Sequence, residues 1–207
     1  MTPAQARRAD RHLAAADPVL AAVIRQTTLS PLSPAAEPYR ALLRAVLAQQ
    51  LSKQAADTIE RRLLALFPDG DPEPRRLLAL PPAALRAAGL SQRKVAYVTG
   101  LAEQALAGTL ARGVLEPLDD AAVIARLTAL HGIGRWTAEM LLMFCLQRPD
   151  VFPADDVGIE RALERLYPLP PRGPARRAAM RALAEPWRPW RSRACRHLWA
   201  WRRNQPL

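Results

Sequence analysis

At 207 residues the chain can bury a sizeable core as one domain or two small lobes, and no long glycine- or serine-rich linker divides it into independent units. Thirty basic against nineteen acidic residues give a formal charge of +11, nearly all of it arginine since Lys53 and Lys94 are the only lysines; the excess favours a polyanionic partner, whereas a genome rich in arginine codons explains the arginine bias but less easily the net charge. Cys145 and Cys195 lie far apart with no CxxC, no apolar run approaches the roughly 20 residues of a membrane span, and MTPAQARRAD is no signal peptide, which excludes a zinc or four-thiolate iron–sulfur site and a membrane protein and sets the expectation of a cytoplasmic chain with reduced, buried thiols.

Apolar residues recur at helical spacing in segment after segment, and the alternating Val, Ile, Thr and aromatic runs of strands are missing, so the expected fold class is all-α. A first helix is expected over residues 17–25, then the proline-punctuated TTLSPLSPAAEP, then a helix over 38–48 with Leu42, Leu43, Val46 and Leu47 on one face. QQLS interrupts the pattern. Ser52 can cap a helix reaching Phe67, with Ala56, Ile59, Leu63 and Leu66 on its apolar face, until PDGDPEP ends it. A short helix over 82–87 stops at Gly89, Ser91 caps one running to 107, and Asp119 or Asp120 caps one running to 130. After HGIGRWTAEM begins, a single helix is expected over 135–146, closed by QRPD, and another from Val157 after FPADD. Two final helices hinge at 186–189, with arginines and tryptophans interleaved.

Leu130-His131-Gly132-Ile133-Gly134 between two helices is a very tight hairpin. Glycine serves where φ is positive or where backbone must approach a ligand with no Cβ intervening, and Ile133 would anchor the turn in the core. The helix beyond Gly134, opening with Arg135 and Thr137 in its first turn, presents unsatisfied N–H groups and the positive end of its dipole, which suit a phosphate. On the other side of the turn, carbonyls of Thr128, Leu130 and Gly132 could share a monovalent cation, Na+ or K+. The pair alone fits a plain αα-hairpin equally well. Downstream, VFPADDVGIERAL sets Asp155 and Asp156 at a helix start, where one is the natural N-cap and the other can project into space.

LTALHGIGRWTAEMLLMF followed by VFPADDVGIERAL resembles the helix-hairpin-helix DNA glycosylases with a Gly/Pro-rich loop and an aspartate, in particular the AlkA type that removes alkylated bases. VLAQQLSKQAADTI, LRAAGLSQRKVAYVTGLA and EPWRPWRSRACRHLW are similar to further stretches of that type, in order and with its spacing. The resemblance implies a two-lobed helical fold with a DNA cleft between lobes and no N-terminal β domain: one glycosylase unit over 1–207, with one lobe over about 38–115 and the other over about 116–207 plus the N-terminal segment, carrying the hairpin at 127–146 and the aspartate.

It also implies roles. Asp156 takes the place of the catalytic carboxylate, with Asp155 its capping neighbour. Trp136 stands where strand-cutting members have the Schiff-base lysine, so a monofunctional enzyme without lyase activity is implied. Trp199 matches an aromatic lining the base pocket, and an indole face attracts a cationic methylated purine. Met140 and Val157 stand where that pocket often has aromatics. Gln49, Gln50, Leu51 and Ser52 fall on the turn that plugs the gap left by a flipped nucleotide, with Gln50 or Leu51 as the plug. The implied partner is double-stranded DNA containing alkylated bases, bound by a monomer with no required cofactor. The alternative is a non-catalytic helix-hairpin-helix DNA-binding module, which has no reason to aim Asp156 at a sugar.

Overall fold

The computed structural model describes residues 1–32 and 36–204, so part of TTLSPLSPAAEP lies outside the described residues. In chain order the α-helices are α1 (Pro3–Ala16), α2 (Pro18–Arg25), α3 (Pro38–Ala48), α4 (Lys53–Leu64), α5 (Pro74–Ala79), α6 (Pro82–Ala87), α7 (Gln92–Leu106), α8 (Arg112–Leu115), α9 (Asp120–Thr128), α10 (Arg135–Met140), α11 (Val157–Leu166), α12 (Pro174–Leu183) and α13 (Arg191–Arg203). A π-helical turn, Leu141–Cys145, follows α10, and a 3₁₀ turn, Glu185–Trp187, precedes α13. No strand occurs among the described residues, in keeping with the all-α expectation.

Three helices escape the periodicity. In α1 only Ala9 and Leu13 are buried, too few to mark a stripe, yet Thr2 and Gln5 close a capping box at its start. The helices α5 and α8 are four to six residues long and each buries one leucine, Leu77 and Leu115. The expected single helix over 135–146 is instead α10 plus the π turn, where one residue more per turn changes which side chains face outward. Phe144, on that turn, is exposed.

The chain divides into two units, 36–141 and 1–35 with 142–207. The hairpin thus belongs with α3 to α9, whereas the sequence-based division at 115/116 puts it with the C-terminal lobe. Within 36–141, α7 is the hub: α3, α5 and α6 pack on it, and α4 packs on α3. The expected faces are the buried ones, Leu42, Leu43, Val46 and Leu47 on α3 and Ala56 and Leu63 on α4. Each leucine so buried contributes about 1.5–3 kcal/mol relative to exposure.

In the other unit a buried carboxylate joins the chain's two ends. Asp17 Oδ1 accepts the Val19 and Leu20 amides at 2.9 Å, capping α2, and Oδ2 accepts the Tyr167 hydroxyl at 2.8 Å and the Trp187 indole at 3.0 Å. Four donors offset the desolvation of one charge. Burial together with the Asp17 carboxylate holds the Tyr167 phenol far above its ordinary pKa. Asp10 on α1 likewise accepts from Arg193 and, at 3.0 Å, bonds His197 Nε2, both on α13.

Candidate active site

The hairpin is α9, a tight turn and α10. Gly132 has φ +85°, a left-handed conformation, and a Cβ there would lie 2.4 Å from the Tyr97 ring of α7. Gly134 differs. It caps α10 with φ −90°, and a Cβ there would meet nothing within 4 Å, so its surroundings are open. The two glycines therefore do separate work, one closing the turn on the protein and the other leaving the first amides of α10 accessible. Ile133 is buried, as an anchor should be. Arg135 is exposed and donates through Nε to the buried Glu139 at 2.9 Å. Thr137 is buried too, so of the DNA-binding residues read from sequence it can offer only its backbone.

Of the carbonyls read as cation donors, Leu130 O accepts the Ile133 amide at 3.1 Å and Gly132 O accepts Gln49 Nε2 at 2.8 Å. Each keeps a second lone pair.

The turn between α3 and α4 presents Gln50 and Leu51 to solvent, Gln50 with φ +57°, unusual for a residue with a side chain. Ser52 caps α4 through Oγ to the Ala55 amide at 3.3 Å. Gln49, spent on Gly132, is held rather than projecting. A cavity of about 550 Å³ within this unit is lined by Gln49, Gln50, Lys94, Tyr97, Trp136 and Met140. Trp136 is 45% exposed although it sits on a helix, so packing alone does not account for it.

In the other unit, Asp156 N-caps α11: its Oδ1 accepts the Ile159 amide at 2.8 Å and Trp199 Nε1 at 2.8 Å. This corrects the division of labour read from sequence, in which Asp155 is the cap. Asp155 is instead exposed, 3.6 Å from the Arg177 guanidinium. Two bonds on one oxygen fix the plane of a carboxylate that is only 9% exposed. Val157, next in the chain, is exposed. Trp199, on α13, stacks with Phe144 at a centroid separation of 5.9 Å and an interplanar angle of 29°.

Two residues of this arrangement are absent from the sequence reading. Phe144 depends on the π turn, which no periodicity announces. Gly158 has a Cβ position 3.0 Å from Asp156 Oδ1 and from the Trp199 ring, so glycine there admits the indole to the carboxylate. Its signal was visible, a glycine inside the first turn of a helix, where it costs about 1 kcal/mol relative to alanine. Trp199→Phe keeps a six-membered aromatic ring but deletes the donor and the pyrrole half of the indole; it should lower stability by at least about 1.5 kcal/mol, the low end for a hydrogen bond to a charged group. Thermal unfolding checks this, and an unchanged melting temperature would mean that the bond carries no weight.

A family model described as HhH-GPD superfamily base excision DNA repair protein matches residues 43–189. The chain is 38% identical over 165 residues to DNA-3-methyladenine glycosylase 1 of Schizosaccharomyces pombe, covering 79% of this chain and 72% of that protein. Among solved structures, the 3-methyladenine DNA glycosylase (Mag1) of S. pombe in complex with abasic DNA superposes with a TM-score of 0.80 at 34% identity, covering 93% of this chain and 95% of that one. The DNA-3-methyladenine glycosidase of Bacillus halodurans gives 0.79 at 34% identity, covering 91% and 86%.

Proposed function

The chain belongs to the HhH-GPD superfamily of base excision DNA repair proteins, and from that premise we propose that it is a monofunctional DNA glycosylase. It acts as a monomer on duplex DNA, turns an alkylated base of the 3-methyladenine or 7-methylguanine class out of the stack, and hydrolyses its glycosidic bond to leave an abasic site. The observation that carries this reading is the Asp156 carboxylate, oriented by Ile159 N–H and Trp199 Nε1–H beside a stacked aromatic pair.

The chemistry asks little of a general acid. A methylated purine that already bears positive charge leaves with the electron pair of the C1′–N bond and becomes neutral. What remains is the positive charge developing on the sugar and the delivery of water. An ionised carboxylate facing C1′ stabilises that charge, and it orients the water whose oxygen bonds to C1′ and accepts its proton. Trp199 and Phe144 offer π-faces to the cationic base. Trp136 has no amine with which to form an imine, so the strand stays intact.

Flipping costs a few kcal/mol, least at a damaged pair. Gln50 or Leu51, on the exposed turn, fills the gap. The amides at the start of α10 grip a phosphate without reading sequence. The carbonyls of Thr128, Leu130 and Gly132 would be the ones to hold a monovalent cation, which would supply a further positive charge near that phosphate; replacing Na+ or K+ with a bulky organic cation should then weaken DNA binding, and equal affinity in both buffers would exclude such an ion.

The test of the activity is to incubate the protein with methylated duplex DNA and identify the released bases chromatographically. The expected products are free 3-methyladenine and 7-methylguanine, with breaks appearing only after alkali. No released base would overturn the proposal.

A further inference from the structure

Lys94 is one of two lysines in a chain whose other permanently charged basic residues are all arginine, and its half-buried side chain directs its amine at backbone. Nζ donates to Leu47 O at 2.6 Å and to Gln49 O at 2.9 Å. These carbonyls belong to the end of α3, where the last turn leaves its acceptors without helical partners. A compact ammonium with three donors can serve two convergent carbonyls, whereas a planar guanidinium spreads its donors in a fixed fork.

The segment so held leads straight into the exposed turn. Gln49 follows the last residue of α3, Gln50 has φ +57°, and Leu51 stands in solvent before Ser52 opens α4. A left-handed glutamine persists only where its surroundings over-determine it. Gln49 is pinned twice, by its own carbonyl to Lys94 and by its Nε2 to Gly132 O at 2.8 Å. One helical turn beyond Lys94 on α7, the Tyr97 ring lies under Gly132. One face of α7 therefore touches both the 49–51 turn and the glycine turn of the hairpin.

We propose that Lys94 is a positioning residue that, with Gln49, locks the 49–51 turn in the shape that fills the flipped-out gap and ties that shape to the hairpin. Lys94 acts through the turn, not on the DNA. The inference rests on the glycosylase reading for its purpose, so its test uses base flipping, which does not require excision.

In a duplex carrying 2-aminopurine beside a stable, uncharged abasic analogue, 2-aminopurine fluorescence reports insertion into the stack. Lys94→Met should lower the enzyme-induced fluorescence change about tenfold, below the hundredfold cost of a badly misplaced catalytic geometry. Gln49→Met should act in the same direction with the fold intact by circular dichroism. In a background whose turn carries Gln50→Gly and Leu51→Gly, Lys94→Met should change the remaining signal less than twofold, because residues that act through one element are non-additive. Full fluorescence change in both single variants, or an undiminished effect of Lys94→Met in the glycine background, would overturn the proposal. A wild-type protein that flips the probe but releases no methylated base would leave it standing and sink the glycosylase reading instead.

Discussion

Asp156→Asn should remove base release, lowering the single-turnover rate at least about 10²–10³-fold, the scale of deleting one preorganised electrostatic group. DNA affinity and thermal stability should stay nearly unchanged. The reason is geometric. Asn retains an oxygen in the position of Oδ1, so the Ile159 amide and the Trp199 indole keep their acceptor and α11 keeps its cap. The charge is lost, and Oδ2 gives way to an amide NH2. Asp156→Ala deletes the acceptor as well and should cost about 2.5 kcal/mol of stability, the sum of a cap and a buried side-chain bond. Quenched-flow base release with calorimetry on both variants separates the roles. An Asn variant with wild-type rate would leave Asp156 as a helix cap and nothing more.

The two hairpin glycines should fail in different ways. Gly132→Ala meets both a φ of +85° and the Tyr97 ring at 2.4 Å. The left-handed conformation costs about 1–2 kcal/mol and the overpacking about 1–3 kcal/mol more, a large share of a typical 5–15 kcal/mol stability. Urea unfolding should register that loss, and Tyr97→Ala in the same chain should recover the steric part alone. Gly134→Ala meets open space at an ordinary φ. It should leave stability within about 1 kcal/mol and weaken DNA binding about tenfold, the scale of one charge-assisted hydrogen bond, equally for all sequences. A loss confined to one sequence context would contradict a backbone grip.

Much of this was legible in the chain itself. The apolar stripes of α3 and α4, the serine caps at 52 and 91, an aspartate cap at 119 or 120 that the fold places on Asp119, and the anchoring of Ile133 follow from local chemistry that the folded environment does not override. What escaped has long-range or irregular causes. Asp17 bonds Tyr167 and Trp187 across 150 and 170 residues, a pairing with no local signature that ties the start of α2 to the last third of the chain. Asp155 and Asp156 are chemically equivalent in sequence. Asp156 is the one that caps α11, and its Oδ1 also accepts Trp199 Nε1 from a distant helix, in the space Gly158 leaves for the indole. The π turn gives Phe144 its outward position, and the periodicity of 3.6 used to read helices cannot register a turn of different pitch.

If the Asp156 carboxylate stabilises positive charge on the sugar, its effect is read by comparing affinity for two duplexes, one with a neutral ring in place of a single deoxyribose and one with a ring amine that is cationic at neutral pH. Mimics of a transition state bind more tightly than ground-state analogues, so the native protein should prefer the cationic ring by about tenfold or more, and Asp156→Asn should bind both alike. An equal preference in the two proteins would show that the charge at residue 156 does not reach the sugar.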